Sequence, residues 1–436
     1  MIRSTLAGGL LIAAMAPLVV ADSISVEIPV DLSLGVGTED GDIMQLQFES
    51  EPRLEWRLGN GGELVAAARL RLDAEDELEP DEPEFENYSS ISKPITLGDA
   101  GTLELRDVYY EHRLDAGLVR LGKQQIVWGS LDGLKILDVV NPQTFREFIL
   151  DDLGNSRIPL WSAYTDLTIG NWRAEFTWIP DITSHDIPEA GAWFELTAPR
   201  FRFGTPVDAG GGRLPGTTDR DADWWDDSAF GMRLSTMVGG VDISAQAYTG
   251  RDHEPLGRVS NARGLLRVER FYERREVFGA AAEASLGSVV LRGEFSYQPD
   301  RTFNTRGALG LNTVELDQTT VGVGADIDLP FNILSNVQFV LDTIADAPAA
   351  LVRPDEDQIL TVFLRRQFIY DTLRTEFRWY HSLTDYDDTV VLTGRYELAD
   401  NTSIYLSGEW FSGSREGLFG QFNDRDRIYA GITHYF

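Results

Sequence analysis

From position 44 to 58 the chain reads MQLQFESEPRLEWRL. Every even position (Met44, Leu46, Phe48, Ser50, Pro52, Leu54, Trp56, Leu58) is apolar or small, and every odd one is Gln, Glu or Arg. Successive side chains of a strand point to opposite faces, whereas a helix repeats every ~3.6 residues. The run is therefore a strand with one oily and one charged side. After Gly59-Asn60-Gly61-Gly62 the alternation resumes, with Leu64, Ala66, Ala68, Leu70 and Leu72 against Arg69, Arg71 and Asp73. Asn-Gly between two such runs predicts a hairpin.

The pattern recurs to the end of the chain. Trp172, Ala174, Phe176 and Trp178 oppose Arg173, Glu175 and Thr177; Val289, Leu291, Gly293, Phe295 and Tyr297 oppose Arg292, Glu294 and Gln298. Over 103–114 the alternation changes phase near Asp107-Val108, which predicts a bulge. Short joints such as Asp115-Ala116-Gly117, Gly170-Asn171, Gly239-Gly240 and Gly287-Ser288 alternate with long polar ones over 75–101, 129–159, 180–227, 299–315 and 415–426. A soluble sandwich has no reason to make every second loop long. An outer-membrane barrel does, with tight turns on the periplasmic side and long loops outside. To keep this parity, 265–286 is read as one long strand projecting beyond the membrane.

About seventeen strands follow from Met44 onward, and because single-chain bacterial barrels have an even number, residues 24–35 are expected to supply an eighteenth. The expected fold is all-β, a transmembrane antiparallel up-and-down barrel of about 18 strands. Should 24–35 plug the lumen or lie outside instead, 16 strands with one merged hairpin is the fallback. At the other end, Met1-Ile2-Arg3, an apolar run over 6–20 and the small residues before Asp22 have the layout of a signal peptide. It is expected to be cleaved near Ala21, leaving 22–436 as one barrel in the outer membrane of a Gram-negative bacterium.

Composition removes other classes. A formal charge of -32 repels nucleic acid, and the absence of cysteine excludes disulfides and thiol chemistry. No cofactor or metal site is expected: Asp219-Arg220-Asp221-Ala222-Asp223 starts like a calcium loop, but Trp224 stands where the glycine is required. The acidic run EDELEPDEPEFE over 75–86 reads as a solvated loop. His381-Ser382 cannot form a catalytic dyad if 373–383 is a strand, because adjacent residues point to opposite faces. No enzyme activity is expected.

A lipid-facing Arg costs ~2–4 kcal/mol at the midplane, so the charged faces must point into the lumen, Arg292, Glu294, Arg374, Glu376 and Arg378 among them. Many of these charges are expected to neutralise one another across neighbouring strands. A pore needs only a lining and a constriction. The constriction expected is the segment 122–159, too apolar for an exposed loop. Asn141-Pro142 signals a helix start there, with Phe145, Phe148, Ile149 and Leu153 on one face. This loop-helix either enters the lumen or packs on the rim, and Lys123, Gln125, Lys135, Arg146, Asp151 and Asp152 are its candidate polar residues.

The stretch GKQQIVWGSLDGLKILDVVNPQTFREFILDD, with the leader and the terminal Phe436, resembles a proteobacterial outer-membrane family known as a domain of unknown function (DUF1302 type), itself remotely similar to alginate-export-type porins. The resemblance implies an outer-membrane channel for lipidic or hydrophobic substrates. It also implies a periplasmic lipoprotein-carrier-like partner and an inner-membrane exporter of the resistance-nodulation-division type. Outer-membrane lipid and lipopolysaccharide are further expected partners. Tyr435 and Phe436 resemble the terminal signal read by the barrel-assembly machinery. The alternative class is a sealed structural or adhesin-type barrel, an outer-membrane hydrolase being the weaker one. The net charge predicts cation preference for an open pore.

Overall fold

The computed structural model describes residues 23–131, 133–151, 153–203, 216–218, 225–262, 265–307 and 310–436. The expected signal peptide, Asp152 and the pseudo-calcium loop at 219–224 lie outside them.

Eighteen strands hydrogen-bond in sequence order and close on themselves. They are β1 Pro29–Gly37, β2 Ile43–Ser50, β3 Gly62–Asp73, β4 Gly101–Leu114, β5 Gly117–Gln124, β6 Leu160–Ile169, β7 Trp172–Ile179, β8 Ala229–Val238 and β9 Val241–Arg251. The second half comprises β10 Arg274–Leu286, β11 Val289–Gly307, β12 Gly310–Leu329, β13 Ile333–Ile344, β14 Glu356–Phe368, β15 Leu373–Ser382, β16 Asp387–Ala399, β17 Thr402–Ser412 and β18 Arg427–Tyr435. Every neighbouring pair is antiparallel, and β1 closes on β18 from Pro29↔Tyr435 to Gly37↔Arg427. The strand expected over 24–35 is thus the first stave. Beyond Ile28 it continues as Ile24–Glu27, paired with Arg53–Arg57, which extends β2 past Pro52.

The alternation that predicts strands also sorts the two faces. Leu34, Leu46, Phe176, Phe230, Leu291, Phe295, Val323, Leu392, Leu406 and Ile432 are exposed, while Gln45, Gln47, Arg69, Glu104, Arg106, Glu294, Gln338, Glu409 and Arg427 are buried. A soluble core has the reverse arrangement. The apolar belt is the surface a bilayer covers, and the polar residues fill the interior. The phase change at Asp107 is a register shift against Ala66 and Ala68, as the alternation predicts.

Three details differ from the sequence expectation. Residues 299–315 form no loop: β11 and β12 run on as a projecting hairpin, with a register shift between Gln298 and Arg301, where Pro299 has no amide to donate. Residues 265–286 are not one strand, because Leu265–Phe271 folds back antiparallel on Leu256–Ala262, and β10 starts afresh at Arg274. A lone projecting strand would leave a ladder of amides unpaired, and the hairpin partner within the same loop satisfies them. Finally, no helix starts at Asn141-Pro142, and among the described residues of the segment the one α-helical turn is Leu153–Ser156.

The assignment of faces has a direct consequence for stability. Leu46→Arg is expected to lower the stability of the barrel in lipid vesicles by about 2–4 kcal/mol, measured by denaturant titration; unchanged stability would contradict a lipid-facing β2.

Candidate functional site: a lumen roofed by an inserted loop

The connection between β5 and β6, residues 125–159, turns into the lumen, where inward-facing wall side chains hold its backbone. Glu294 of β11 is the principal anchor. Its Oε1 accepts the Ser130 amide, the Ser130 hydroxyl at 2.9 Å and the Leu131 amide at 3.0 Å, and its Oε2 accepts the Leu137 amide at 3.1 Å. Gln338 of β13 accepts the Gly133 amide at 3.1 Å, Gln246 of β9 donates to the Leu137 carbonyl at 2.9 Å, and Arg378 of β15 donates to the Leu150 carbonyl at 3.1 Å. On the other side Arg106 of β4 donates to the Gly154 and Asn155 carbonyls at 3.1 and 3.3 Å. Anchors on strands this far apart around the ring mean that the insert spans the bore.

Glycines in the wall make this close fit sterically possible. A Cβ at Gly322 would overlap Ile136 and Leu131, one at Gly231 would overlap Trp128, and one at Gly279 would come within 2.5 Å of a Leu137 methyl. Asn141 explains why the expected helix is absent. Its side chain does not cap a turn but accepts the Ile126 amide at 2.7 Å and donates to the Ile158 carbonyl at 2.8 Å, tying the two ends of the insert together. Phe148 then adopts φ +53°, which breaks any helical run.

Toward the extracellular side the insert joins an aromatic cluster. Phe148 lies 4.7 Å from Phe422, which lies 5.3 Å from Phe411 of β17 and 5.6 Å from Phe194, while Tyr380 of β15 stands 6.3 Å from Phe419. With Leu78, residues of four different loops thereby meet the wall in one apolar mass. Trp193 and Phe194 are buried in it and pack their loop against the wall. Beside it, His185 accepts the Gln143 amide at 2.9 Å and His253 donates to the Val140 carbonyl at 3.1 Å. Burial pushes both imidazoles down to about 3, so they clamp the insert as neutral groups.

Below the insert two adjoining cavities remain, of about 700 and 610 Å³. The larger reaches from Glu27, Pro29, Arg374 and Tyr435 at the periplasmic ends of the strands up to Glu147, Leu150, Asp151 and Asn155 of the insert. Asp151, Arg365, Glu376 and Arg378 line both. The roof carries perturbed charges. Burial would raise Glu147, but Arg427 at 2.6 Å and Arg146 at 3.4 Å hold it below the usual carboxylate range. Burial, aided by the Glu147 charge, pushes Asp151 up to about 6, and burial brings Lys135 down to about 8.

The candidate residues divide accordingly. Asp151, Arg374, Glu376 and Arg378 line the chamber. Glu294 anchors its roof, and Arg146 does so through Gln47 at 2.8 Å and Glu79 at 2.6 Å. Gln125 and Lys135 fasten the insert to itself, at Gly154 and Ser156. Arg292 is neutralised within the wall by Glu283 and Asp326. Lys123 is fully buried and sits in the register phase opposite to Arg120, donating to the Ser92 carbonyl at 3.5 Å under the 74–100 loop. Tyr435 faces the chamber, while Phe436 is half exposed at the periplasmic edge with its amide on the Ile28 carbonyl at 3.1 Å. His381 bonds Asp388 at 2.8 Å, and Ser382, next in the strand, is buried and accepts the Asp385 amide at 3.0 Å, so the two do not meet. Sequence reasoning missed Gln338, Gln246, Arg106, Arg365 and Asn141. The signal it could have used is the row of glycines at lumen-facing positions, where a barrel wall otherwise carries side chains.

A family model described as protein of unknown function, DUF1302, matches residues 73–412. The chain belongs to that family. No curated protein matches it. Among solved structures, OccAB1 of Acinetobacter baumannii is similar with a TM-score of 0.51 at 10% identity, over 95% of this chain and 96% of that one. OccD3 (OpdP) of Pseudomonas aeruginosa is similar with a TM-score of 0.51 at 8% identity, over 95% and 91%. At such identities the likeness concerns the fold, which is that of an outer-membrane porin.

The Glu294 anchor can be tested alone. Glu294→Ala strips four donors of their charged acceptor and is expected to lower the local opening free energy of residues 130–137 by about 2–3 kcal/mol. Their amide hydrogen exchange should speed up roughly 30–150-fold, that of the β12 and β13 strands should not change, and Glu294→Gln should fall between. Equal exchange in the wild type and the Ala variant would remove Glu294 as the anchor.

Proposed function

We propose that this chain is an outer-membrane channel held closed by residues 125–159, and that cargo passes when the insert leaves its seat on the wall. The observation that carries the reading is the asymmetry of the lumen: a charged chamber reaching the periplasmic rim, ended by a segment that is hydrogen-bonded to the wall rather than continuous with it. Side-chain hydrogen bonds and glycine-backed contacts can be broken and remade without unpairing any strand. The porin-like fold supports the channel class. A chamber open below and apolar above suits a hydrophobic or lipidic cargo delivered from the periplasm, the side on which a carrier and an exporter of the resistance-nodulation-division type would act. The signal peptide, the outer-membrane address and the terminal Tyr435-Phe436 assembly signal belong to the same proposal. Catalysis forms no part of it.

One observation favours the other reading, a sealed structural barrel. The Phe148, Phe194, Phe411, Phe419 and Phe422 cluster in the extracellular half is as fully buried as a protein core. Planar-bilayer recording separates the two. The wild type is expected to conduct rarely, a variant lacking residues 129–159 to conduct steadily with a preference for cations, and Phe148→Ala with Phe422→Ala to raise the open fraction at least tenfold. A deletion variant that inserts but never conducts would sink the channel reading.

A further inference from the structure

We propose that the chamber wall formed by β14, β15 and β16 binds an organic anion with an apolar body, a carboxylate or phosphate group carried on hydrocarbon. The proposal deepens the channel reading and rests on it for the direction of entry, from the periplasm. Arg365 of β14, Arg374 and Arg378 of β15 and Arg395 of β16 all line the chamber on three adjacent strands. The register sets Arg374 directly opposite Arg395. Like charges in that position destabilise a sheet, so the pair costs the fold something that a wall built only for stability would avoid.

For Arg365, Arg374 and Arg395 the partners leave a net positive charge. Of Arg365, Arg374 and Arg395, Arg374 alone has a carboxylate within ion-pair distance among the described residues, Glu376 at 3.3 Å. Arg395 donates to neutral hydroxyls, Ser403 at 2.9 Å and Thr433 at 3.1 Å, and lies over the Tyr405 ring at 4.7 Å. On the β2–β3 side Glu49 pairs with Arg71 at 2.9 Å and Glu51 with Arg69 at 2.8 Å, so those charges cancel locally. Asp31 of β1 accepts the Tyr405 and Thr433 hydroxyls at 2.9 and 2.7 Å, the same two residues that Arg395 meets, and so stands one side chain away from Arg395. Positive charge thus accumulates on one side of a water-accessible chamber. Guanidinium forks fit the planar oxygens of carboxylate and phosphate.

The adjoining cavity supplies apolar contacts for the body. Phe363, Tyr380, Ile149 and Leu334 line it together with Arg365 and Arg378, and with Asp151, Asp328 and Asp326, the last of which is paired with Arg292. Its 610 Å³ falls within the range of small-molecule sites, roughly 300–1,000 Å³. An anionic head at Arg365 and Arg395 would leave its body against these side chains.

The test is calorimetric titration of the full-length barrel in nanodiscs with hexanoate, hexyl phosphate, hexylammonium and inorganic phosphate. One of the two hexyl anions should bind, the tighter naming the head group, with hexylammonium and inorganic phosphate at least tenfold weaker. Arg365→Gln with Arg395→Gln should weaken the hexyl anion at least tenfold, while Lys at both positions keeps it within about threefold. Should the Gln pair fail to fold, Glu376→Gln, which removes the carboxylate paired with Arg374, must tighten anion binding. Hexylammonium binding as tightly as hexanoate, inorganic phosphate binding as tightly as hexyl phosphate, or an unchanged Gln variant would overturn the proposal. Anion binding by a barrel whose insert-deleted form never conducts would keep this site and remove the channel. A conducting barrel that binds neither hexyl anion would do the reverse.

Discussion

Inside hydrocarbon a backbone amide has no water to bond, so a sheet that crosses a bilayer must close on itself. The pairing of β1 with β18 closes this one, and the rest of the structure depends on it. Closure fixes one face of every strand against lipid and the other in the lumen, and the charges that cannot face lipid are forced inward. There they repeat the problem on a smaller scale, because a buried charge needs a partner. Neighbouring strands supply many of them, as with Arg233 and Glu175 at 3.2 Å or Arg427 and Glu409 at 2.5 Å. The insert supplies others, its backbone groups meeting Glu294, Gln338, Arg378 and Arg106.

The two halves of the lumen differ in physical character. The extracellular half is held by apolar burial, in which a well-packed Phe costs about 3–5 kcal/mol to truncate, and it behaves as a core. The periplasmic half is held by ion pairs around an open chamber, where exchange of partners costs little. Motion is therefore expected at the boundary between them, at the level of residues 125–151, and not in the strands.

Much of the fold was legible because a period of two has few physical meanings. About seventeen staves, the bulge at Asp107 and the inward phase of Arg374, Glu376 and Arg378 followed from alternation, and the eighteenth stave from the even strand number of such barrels. What alternation could not see was non-local. Whether 265–271 continues β10 or folds back depends on a partner segment inside the same loop, and both choices satisfy the local pattern. Asn141-Pro142 carries a true helix-start signal, yet the Asn side chain is taken by Ile126 and Ile158, which lie 15 and 17 residues away. Lys123 was assigned by its neighbours in sequence, and the register puts it on the other side of the wall. The seating of the insert in the lumen was one of two open readings, and only the contacts with Glu294, Gln338 and the wall glycines decide it.

Family membership gives this chain no activity, so the claim stands on the lumen itself: a chamber reachable from the periplasm and closed to the outside by the insert. The sequence contains no cysteine, so a single Thr393→Cys substitution places one reactive group in the chamber lining. Intact cells are then exposed to a membrane-impermeant maleimide too large for general porins, before and after the outer membrane is permeabilised. The account predicts no labelling from the cell surface, labelling after permeabilisation, and surface labelling once Glu294→Ala loosens the insert. Prompt labelling of Thr393→Cys from the surface of intact cells, with the insert unaltered, would contradict it.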